Sequence, residues 1–168
     1  MDKNDLRKWA KSERAKLDLE KVSAELVLKL QNTPEYQTAK NIMIYYPMKD
    51  EINLLSLLKD KTKCFYLPRI KDKELECCPY SADDELCESC FHTLEPVCKS
   101  CNKTELDMVI VPALAVDKNN YRLGYGGGFY DRFLKDFSGI KVVCIPKNFI
   151  LDTIFPETFD EKIYLIIS

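Results

Sequence analysis

The chain has 168 residues, of which 46% are apolar and 31% are charged, a composition typical of a globular protein with a sizeable core. Its formal net charge of −2 argues against the broad basic field of a nucleic-acid-binding protein. No apolar run reaches the roughly 18–20 residues needed to cross a bilayer, and the charged N-terminus is unlike a signal peptide. We therefore expect a single cytoplasmic domain over residues 1–168, a monomer with neither nucleic-acid nor membrane partners.

The N-terminal region is predicted to be helical. Apolar residues recur at helical spacing over residues 2–17, with Asp2 or Asn4 as the N-cap, and a second helix begins after Asp18. The first helix carries Lys3 and Arg7 four residues apart, and therefore on one face. Two cations placed in this way near a helix start can close over a polyphosphate.

Strands alternate with helices along the rest of the chain. Apolar or alternating runs predict strands at residues 41–46, 63–67, 74–78, 108–116, 141–145 and 163–167, with 74–78 as an antiparallel or edge strand. This order predicts an α/β fold with a mainly parallel sheet and helices on both faces. Ligands of open α/β sheets bind at the carboxyl ends of strands, which makes Glu51, in the loop after the first strand, a candidate site residue.

The segment from Arg122 to Arg132 contains four of the five glycines of the chain within five consecutive positions. Ordering glycine has a high entropic cost, so this clustering needs a local reason. The segment follows the buried run Met108–Val116 and precedes a predicted helix, Phe129–Phe137. A strand, a glycine loop and a helix in this order present bare backbone N–H groups to an anion. With cationic Arg122 and Arg132 at its ends, the segment favours phosphate binding over a simple turn.

Residues 83–105 form a cysteine-rich loop with two C-x-x-C pairs, Cys87/Cys90 and Cys98/Cys101. Four thiolates are the ligand set of a structural zinc, and such a clip would order a polar loop. The alternative is four free thiols, because cysteine is common elsewhere in this chain and the separation of the pairs is short for a zinc ribbon. Both interpretations stay open. The single histidine, His92, makes a catalytic triad or a histidine-rich metal centre hard to build.

The stretch from Val109 to Arg132 resembles the signature of the 5-formyltetrahydrofolate cyclo-ligases, also called 5,10-methenyltetrahydrofolate synthetases. It contains Val-Pro-Ala-Leu-Ala-Val-Asp followed by Arg-Leu-Gly-Tyr-Gly-Gly-Gly-Phe-Tyr-Asp-Arg. Further elements resemble the family in the same order, so that the likeness spans nearly the whole chain: Lys3-Asn-Asp-Leu-Arg7, Tyr46-Pro-Met-Lys-Asp-Glu51, Leu94-Glu95-Pro96 and Glu157-Thr-Phe-Asp160. The resemblance implies a three-layer α/β/α domain with a mainly parallel sheet, like the NagB/RpiA/CoA-transferase group.

The resemblance implies a ligase that converts 5-formyltetrahydrofolate and MgATP to 5,10-methenyltetrahydrofolate, ADP and phosphate. Its partners would be these small molecules, with ATP as co-substrate and Mg²⁺ as cofactor. The implied contacts with ATP are Lys3, Arg7, Arg122, Leu123, Gly124, Tyr125, Gly126, Gly127, Gly128, Phe129 and Tyr130. The implied contacts with the folate are Tyr46, Glu51, Tyr125, Gly126, Gly127, Gly128 and Phe129. Asp131 and Asp160 would hold Mg²⁺, while Arg122 and Tyr130 would position the reactants.

Two other functions compete with this one. A sugar-phosphate isomerase on the same fold would need no ATP and would use an acid/base pair such as Glu51 and Asp131, but the Lys3/Arg7 pair would then lack a role. A zinc-clipped binding module would use the cysteine loop to hold a protein or nucleic acid. The excess of acidic over basic residues, 27 against 25, gives that module little support.

Overall fold

The computed structural model describes residues 2–89 and 92–168. Within these ranges the α-helices are α1 Lys3–Arg14, α2 Leu19–Gln31, α3 Pro34–Thr38 and α4 Phe129–Leu134. The strands are β1 Asn41–Met43, β2 Cys64–Lys71, β3 Glu74–Tyr80, β4 Leu86–Glu88, β5 Leu94–Pro96, β6 Met108–Ile110, β7 Ala115–Asp117, β8 Arg122–Leu123, β9 Ile140–Cys144, β10 Ile150–Leu151 and β11 Leu165–Ile167. Short 3-10 helices lie at Leu55–Lys59, Lys103–Glu105 and Lys147–Phe149. None of the helices in the described ranges combines the length and the apolar content that a membrane crossing needs.

The main sheet has six strands in the order β11-β9-β6-β1-β2-β3. All neighbouring strands are parallel except β3, which runs antiparallel to β2 at the edge. The predicted α/β class, with its mainly parallel sheet, is therefore confirmed, as is the antiparallel edge strand. The predicted end of β2 at residue 67 is wrong, because its pairing with β3 continues to Lys71 opposite Glu74.

Two apolar clusters cover the two faces of this sheet and make the fold three-layered. Successive strand residues point to opposite faces, so Val109 belongs to one cluster while Met108 and Ile110 belong to the other. The first cluster includes Leu6 and Ala10 of α1 and Phe133 and Leu134 of α4. The second includes Leu26, Val27 and Leu30 of α2 and Tyr36 of α3. The helices thus lie on both faces of the sheet, as the sequence predicted.

The start of α1 is fixed by a capping box. The Asp2 carboxylate accepts hydrogen bonds from the backbone N–H groups of Asn4 and Asp5 at 2.8 and 2.9 Å. The Asp5 carboxylate accepts the Asp2 N–H at 3.2 Å in return. Of the two predicted candidates, Asp2 and Asn4, the N-cap is therefore Asp2. The cap matters for the site because Lys3 is the first residue of this helix.

The single strand predicted for residues 108–116 is wrong, because the chain divides there into two strands of different sheets. β6 lies in the main sheet, whereas β7 forms a three-stranded sheet with β8 and β10. The chain changes sheets around Pro112, whose carbonyl accepts a hydrogen bond from Arg122 Nη1 at 3.1 Å. Burial could not reveal the break, since every residue from Met108 to Asp117 is buried.

Candidate active site

One cavity of about 530 Å³ opens where several distant parts of the chain meet. It is lined by the start of α1, the loop after β1, the glycine segment, the first turn of α4 and the segment before β11. Every residue predicted to contact ATP, folate or Mg²⁺ lines this cavity: Lys3, Arg7, Tyr46, Glu51, Arg122, Leu123, Gly124, Tyr125, Gly126, Gly127, Gly128, Phe129, Tyr130, Asp131 and Asp160. The structure therefore brings these residues together, while their individual roles stay predictions.

Lys3 and Arg7 of α1 form a cationic edge of the cavity. Lys3 Nζ lies 2.7 Å from Asp160 Oδ2 and 2.9 Å from Glu157 Oε1. Burial lowers the pKa of Lys3, but its hydrogen bonds to these two carboxylates outweigh that effect and raise the pKa above its usual value. Arg7 Nε donates a hydrogen bond to the Gly124 carbonyl at 2.9 Å. The two cations thus join the N-terminal helix to the glycine loop and to the C-terminal acids.

The loop at residues 124–128 needs glycine for its backbone conformation at two positions. Gly126 and Gly128 have φ angles of 106° and 69°, a region that L-residues with a side chain rarely adopt. Arg132 Nη1 donates to the Gly127 carbonyl at 3.1 Å, and Nη2 donates to the Lys73 carbonyl at 2.9 Å. Arg132, which the sequence offered as a phosphate-binding cation, therefore ties the loop to the β2–β3 hairpin instead of lining the cavity.

Helix α4 is shorter than the predicted helix Phe129–Phe137. It ends at Leu134 after six residues, so its aligned peptide dipoles can contribute little charge at the cavity. Phosphate binding at this loop would therefore depend on bare backbone N–H groups and on the side chains of Lys3, Arg7 and Arg122.

Arg122 is a buried cation beneath the glycine loop, with a relative exposure of 6%. Its Nη1 donates to the Pro112 carbonyl, and its Nη2 lies 3.3 Å from Asp131 Oδ2. Burial lowers the pKa of Arg122, and the Asp131 carboxylate offsets part of that effect. The guanidinium also lies over the ring of Tyr130, 5.5 Å from its centroid. Burial raises the pKa of the Tyr130 hydroxyl, which therefore stays a neutral hydrogen-bond donor.

Asp131 and Asp160 line the cavity beside the cations Arg122 and Lys3, with which they pair. Asp131 Oδ1 accepts the N–H of Glu161 at 3.3 Å, and Asp160 Oδ2 accepts the N–H of Glu157 at 2.7 Å. No group of three or more His, Cys, Asp or Glu side chains able to hold a metal exists in the described ranges. Two hard carboxylates nevertheless fit Mg²⁺, which takes one or two protein ligands and fills its shell with water and substrate phosphates.

Glu51 is a buried carboxylate in the wall of the cavity, with a relative exposure of 7%. Its Oε1 accepts the Met48 N–H at 2.8 Å. Burial raises the pKa of Glu51, and the Met48 N–H and the charge of Arg14 offset part of this effect. The nearby Tyr125 hydroxyl has a pKa raised by burial and by the charge of Glu51. A buried acceptor of this kind fits a ligand that carries N–H donors.

Glu95 is a second buried carboxylate of the cavity, to which the sequence assigned no ligand contact. It is 8% exposed, and its Oε2 accepts the Ile70 N–H at 2.7 Å. Apolar side chains beside it complete the wall: Pro68, Ile70, Leu75 and Leu94. The Leu-Glu-Pro likeness to the family was the one signal in the sequence that pointed to Glu95.

Arg14 was also missed as a site residue, although it lies at helical spacing from Leu6 and Ala10 and therefore on the buried face of α1. It is 2% exposed and donates from Nη2 to the carbonyl oxygens of Ala113 and Leu114 and from Nη1 to that of Asp50. Arg14 therefore connects α1 both to the loop that carries Glu51 and to the link between β6 and β7.

The structure gives no support to the predicted zinc clip. Cys87 is exposed on β4, Cys98 Sγ donates to the Pro79 carbonyl at 3.2 Å, and Cys101 Sγ lies 3.3 Å from Cys77 Sγ. Cys90 lies outside the described residues. Cys98 and Cys101 thus have different partners, and none of these three cysteines belongs to a metal-binding group within residues 2–89 and 92–168.

Comparison with known proteins places the chain among folate enzymes. The model of the 5-formyltetrahydrofolate cyclo-ligase family matches residues 1–167. The cyclo-ligase of Mycoplasma genitalium is 32% identical over 141 residues, covering 80% of this chain and 77% of that protein. The cyclo-ligase of Mycoplasma pneumoniae is 28% identical, over 100% of this chain and 99% of that protein.

Solved structures agree with this result. The 5,10-methenyltetrahydrofolate synthetase of Aquifex aeolicus is similar to the chain with a TM-score of 0.88 and 29% identity, over 99% of this chain and 89% of that one. The synthetase of Mycoplasma pneumoniae is similar with a TM-score of 0.75 and 25% identity, over 99% and 98% of the two chains. The chain therefore belongs to the 5-formyltetrahydrofolate cyclo-ligase family of enzymes.

Proposed function

We propose that the protein converts 5-formyltetrahydrofolate and ATP to 5,10-methenyltetrahydrofolate, ADP and phosphate, and that it needs Mg²⁺. Family membership supports the cyclo-ligase activity. The use of ATP and Mg²⁺ is supported by one observation, the cavity into which the N-terminal cations, the glycine loop, a buried glutamate and two aspartates all open. The same membership favours the ligase over a sugar-phosphate isomerase.

The nucleotide would lie at the cationic side of this cavity. Lys3, Arg7 and Arg122 would neutralise the charge of the phosphates, and the N–H groups of residues 124–128 would orient them. Phosphoryl transfer depends mainly on positioning and charge neutralisation and needs no protein nucleophile. A site with cations, glycine amides and carboxylates, and without a histidine among its lining residues, suits that chemistry.

The folate would lie against Glu51 and the apolar wall. Its formyl oxygen attacks the γ-phosphorus of ATP, so that a new O–P bond forms and the bond to ADP breaks. N10 then attacks the formyl carbon and loses its proton, the C–O bond breaks, and phosphate leaves as the ring closes. When bound, Mg²⁺ supplies charge neutralisation at the phosphate oxygens, and Asp131 and Asp160 would hold it. Tyr130 and Arg122 would keep the reacting groups in place.

Turnover of 5-formyltetrahydrofolate is the test. We expect the absorbance of 5,10-methenyltetrahydrofolate to rise only when both ATP and Mg²⁺ are present. Failure of well-folded protein to form this product at saturating MgATP would refute the proposal. ATP-independent interconversion of sugar phosphates would support the isomerase instead.

Asp131→Asn tests the metal role. We expect the Mg²⁺ concentration for half-maximal rate to rise about tenfold or more, because one anionic ligand is lost. Stability should also fall, since the side chain of Asp131 is 16% exposed and pairs with buried Arg122. Rates at each Mg²⁺ concentration should therefore be compared at equal folded fraction. The exposed Asp136→Asn is the matched control, and an unchanged Mg²⁺ requirement in Asp131→Asn would contradict the role.

A further inference from the structure

We propose that Cys77 and Cys101 are a site of reversible disulfide formation, which fastens the cysteine-rich segment to the main sheet. Their Sγ atoms lie 3.3 Å apart. Cys77 is a residue of β3, and Cys101 forms an isolated antiparallel bridge with it. The Cys101 N–H donates a hydrogen bond to the Cys77 carbonyl at 2.9 Å. This proposal concerns a covalent modification and is independent of the proposed reaction.

The backbone geometry suits such a bond. Residues directly opposite each other on antiparallel strands have Cα atoms about 4.5–5.5 Å apart, within the range of about 4.4–6.8 Å that disulfides span. The sulfur atoms need to approach by only about 1.3 Å to reach the usual bond length of about 2.05 Å. Side-chain rotation can supply most of this movement, so the strands can stay where they are.

The neighbouring cysteines are placed differently. Cys78 follows Cys77 on β3 and so points to the opposite face of the strand. Cys98 Sγ donates to the Pro79 carbonyl, and Cys144 is buried in the other apolar cluster. Of the described cysteines, Cys77 and Cys101 are therefore the pair whose sulfur atoms are already in contact. The bond should form selectively between them.

The oxidant would be a small disulfide such as oxidised glutathione. Cys101, the more exposed of the two, attacks one sulfur of the small disulfide as a thiolate and releases the first small thiolate. The Cys77 thiolate then attacks the Cys101 sulfur of the mixed disulfide and releases the second. The two protons lost by the protein end on two small thiols, so the protein is oxidised by two electrons and the small disulfide is reduced.

The reaction should be slow at neutral pH. Burial raises the pKa of the Cys77 thiol to about 12. The pKa of Cys101 is also raised, mainly by burial and further by the neighbouring Glu105. Thiolates are therefore scarce, and mildly alkaline conditions favour the exchange.

The bond would close the segment that contains the β4–β5 hairpin and Thr93, Leu94 and Glu95 of the cavity wall. A cross-link around a loop of this length restricts the unfolded chain more than the folded one, so the Tm should rise by about 8 °C. The sulfur atoms already touch, so the cavity wall should stay in place. We therefore expect catalytic turnover to change by less than about twofold.

The experiment uses the full-length chain, reduced and then equilibrated with oxidised glutathione at about pH 8.5. Intact mass is measured before and after the free thiols are alkylated under denaturing conditions, and peptide mapping follows. We expect a loss of about 2 Da, two fewer alkylated thiols, a peptide pair joining Cys77 to Cys101, and a higher Tm that dithiothreitol reverses.

Variants separate this bond from other oxidation. Cys101→Ser and Cys77→Ala should each abolish both the cross-linked peptide and the rise in Tm, whereas Cys98→Ser and Cys64→Ser should keep them. If Cys77→Ala folds poorly, Cys101→Ser, at a partly exposed position, still tests whether the cross-link needs this pair. The proposal is overturned if the thiols stay reduced, if glutathione remains attached without an internal bond, if mapping joins a different pair, or if the Tm does not rise.

Discussion

At the scale of one residue, the Glu51 carboxylate is a proposed folate contact that also affects folding stability. Its folded-state pKa lies above the ordinary value of 4.5, mainly because of burial. At pH values between the pKa of the unfolded chain and that of the folded protein, the folded protein binds more protons than the unfolded chain. The contribution of Glu51 to stability therefore falls as pH rises through this window.

We expect Glu51→Gln to be more stable than the wild type at about pH 7, because the neutral amide avoids burying a charge. This advantage should disappear near pH 4, where Glu51 itself is protonated. The KM for 5-formyltetrahydrofolate should rise about tenfold or more, because a charged hydrogen-bond acceptor is lost. Urea unfolding at both pH values tests the effect on stability, with the exposed Glu25→Gln as the control. Initial rates test the effect on KM. A difference in stability that does not change with pH would contradict the expected effect of burying the charge.

Lys3 provides a second prediction at the residue scale. Lys3→Met keeps the length of the side chain but removes the charge that faces Asp160 and Glu157. We expect the KM for ATP to rise about tenfold, since a cation proposed to bind phosphate is lost, while the KM for the folate changes little. Lys8→Met, on the exposed face of the same helix, is the control. Equal effects of the two variants on the KM for ATP would argue against a phosphate contact.

At the scale of elements, the fully buried Asp117 shapes the turn from β7 to β8 that leads into the glycine loop. Its Oδ1 accepts the N–H groups of Asn119 and Tyr121 at 2.9 and 3.0 Å. Its Oδ2 accepts the N–H of Ile154 at 3.2 Å. One carboxylate thus satisfies donors from both sides of the turn and from the segment after β10, and it thereby fixes where Arg122 enters the site.

We expect Asp117→Asn to lower the free energy of unfolding by about 2 kcal/mol, since the amide NH₂ of asparagine cannot accept a hydrogen bond and at least one buried N–H loses its partner. Asn119→Ala, an exposed change in the same turn, should cost less than about 0.5 kcal/mol. Urea titration of both variants measures the difference. Similar midpoints for the two variants would show that the carboxylate does not hold the turn.

At the scale of the whole molecule, the site joins residues as far apart in sequence as Lys3 and Asp160. Ligands that bridge these parts should stabilise the entire fold by linkage, by about 2.7 kcal/mol at a concentration 100 times Kd. This corresponds to a rise in Tm of roughly 5–11 °C. We expect MgADP and 5-formyltetrahydrofolate each to raise the Tm in a thermal melt. In Lys3→Met, the rise in Tm with MgADP should shrink while the rise with 5-formyltetrahydrofolate remains. If neither ligand raises the Tm of the wild type, the assignment of the cavity as the ligand site is contradicted.

Much of the fold could be predicted because its signals are local. The alternation of helices and strands, the cap at Asp2 and the edge position of β3 all follow from patterns within a few residues. The glycine segment pointed to a special loop for the same reason, since Gly126 and Gly128 adopt backbone angles that few other residues tolerate. These features depend on backbone sterics and on hydrogen bonds between near neighbours.

Local patterns in the sequence were therefore sufficient to predict the fold class, the presence of a glycine loop between strand and helix and, through the motifs, the family. The partners that distant residues take became known from the three-dimensional structure. Cys101 lies against Cys77, Arg132 holds the loop from outside the cavity, and Arg14 is buried beneath the Glu51 loop. Each of these outcomes depends on contacts between segments that are far apart along the chain, and the energy of such contacts leaves no periodic signal in either segment alone.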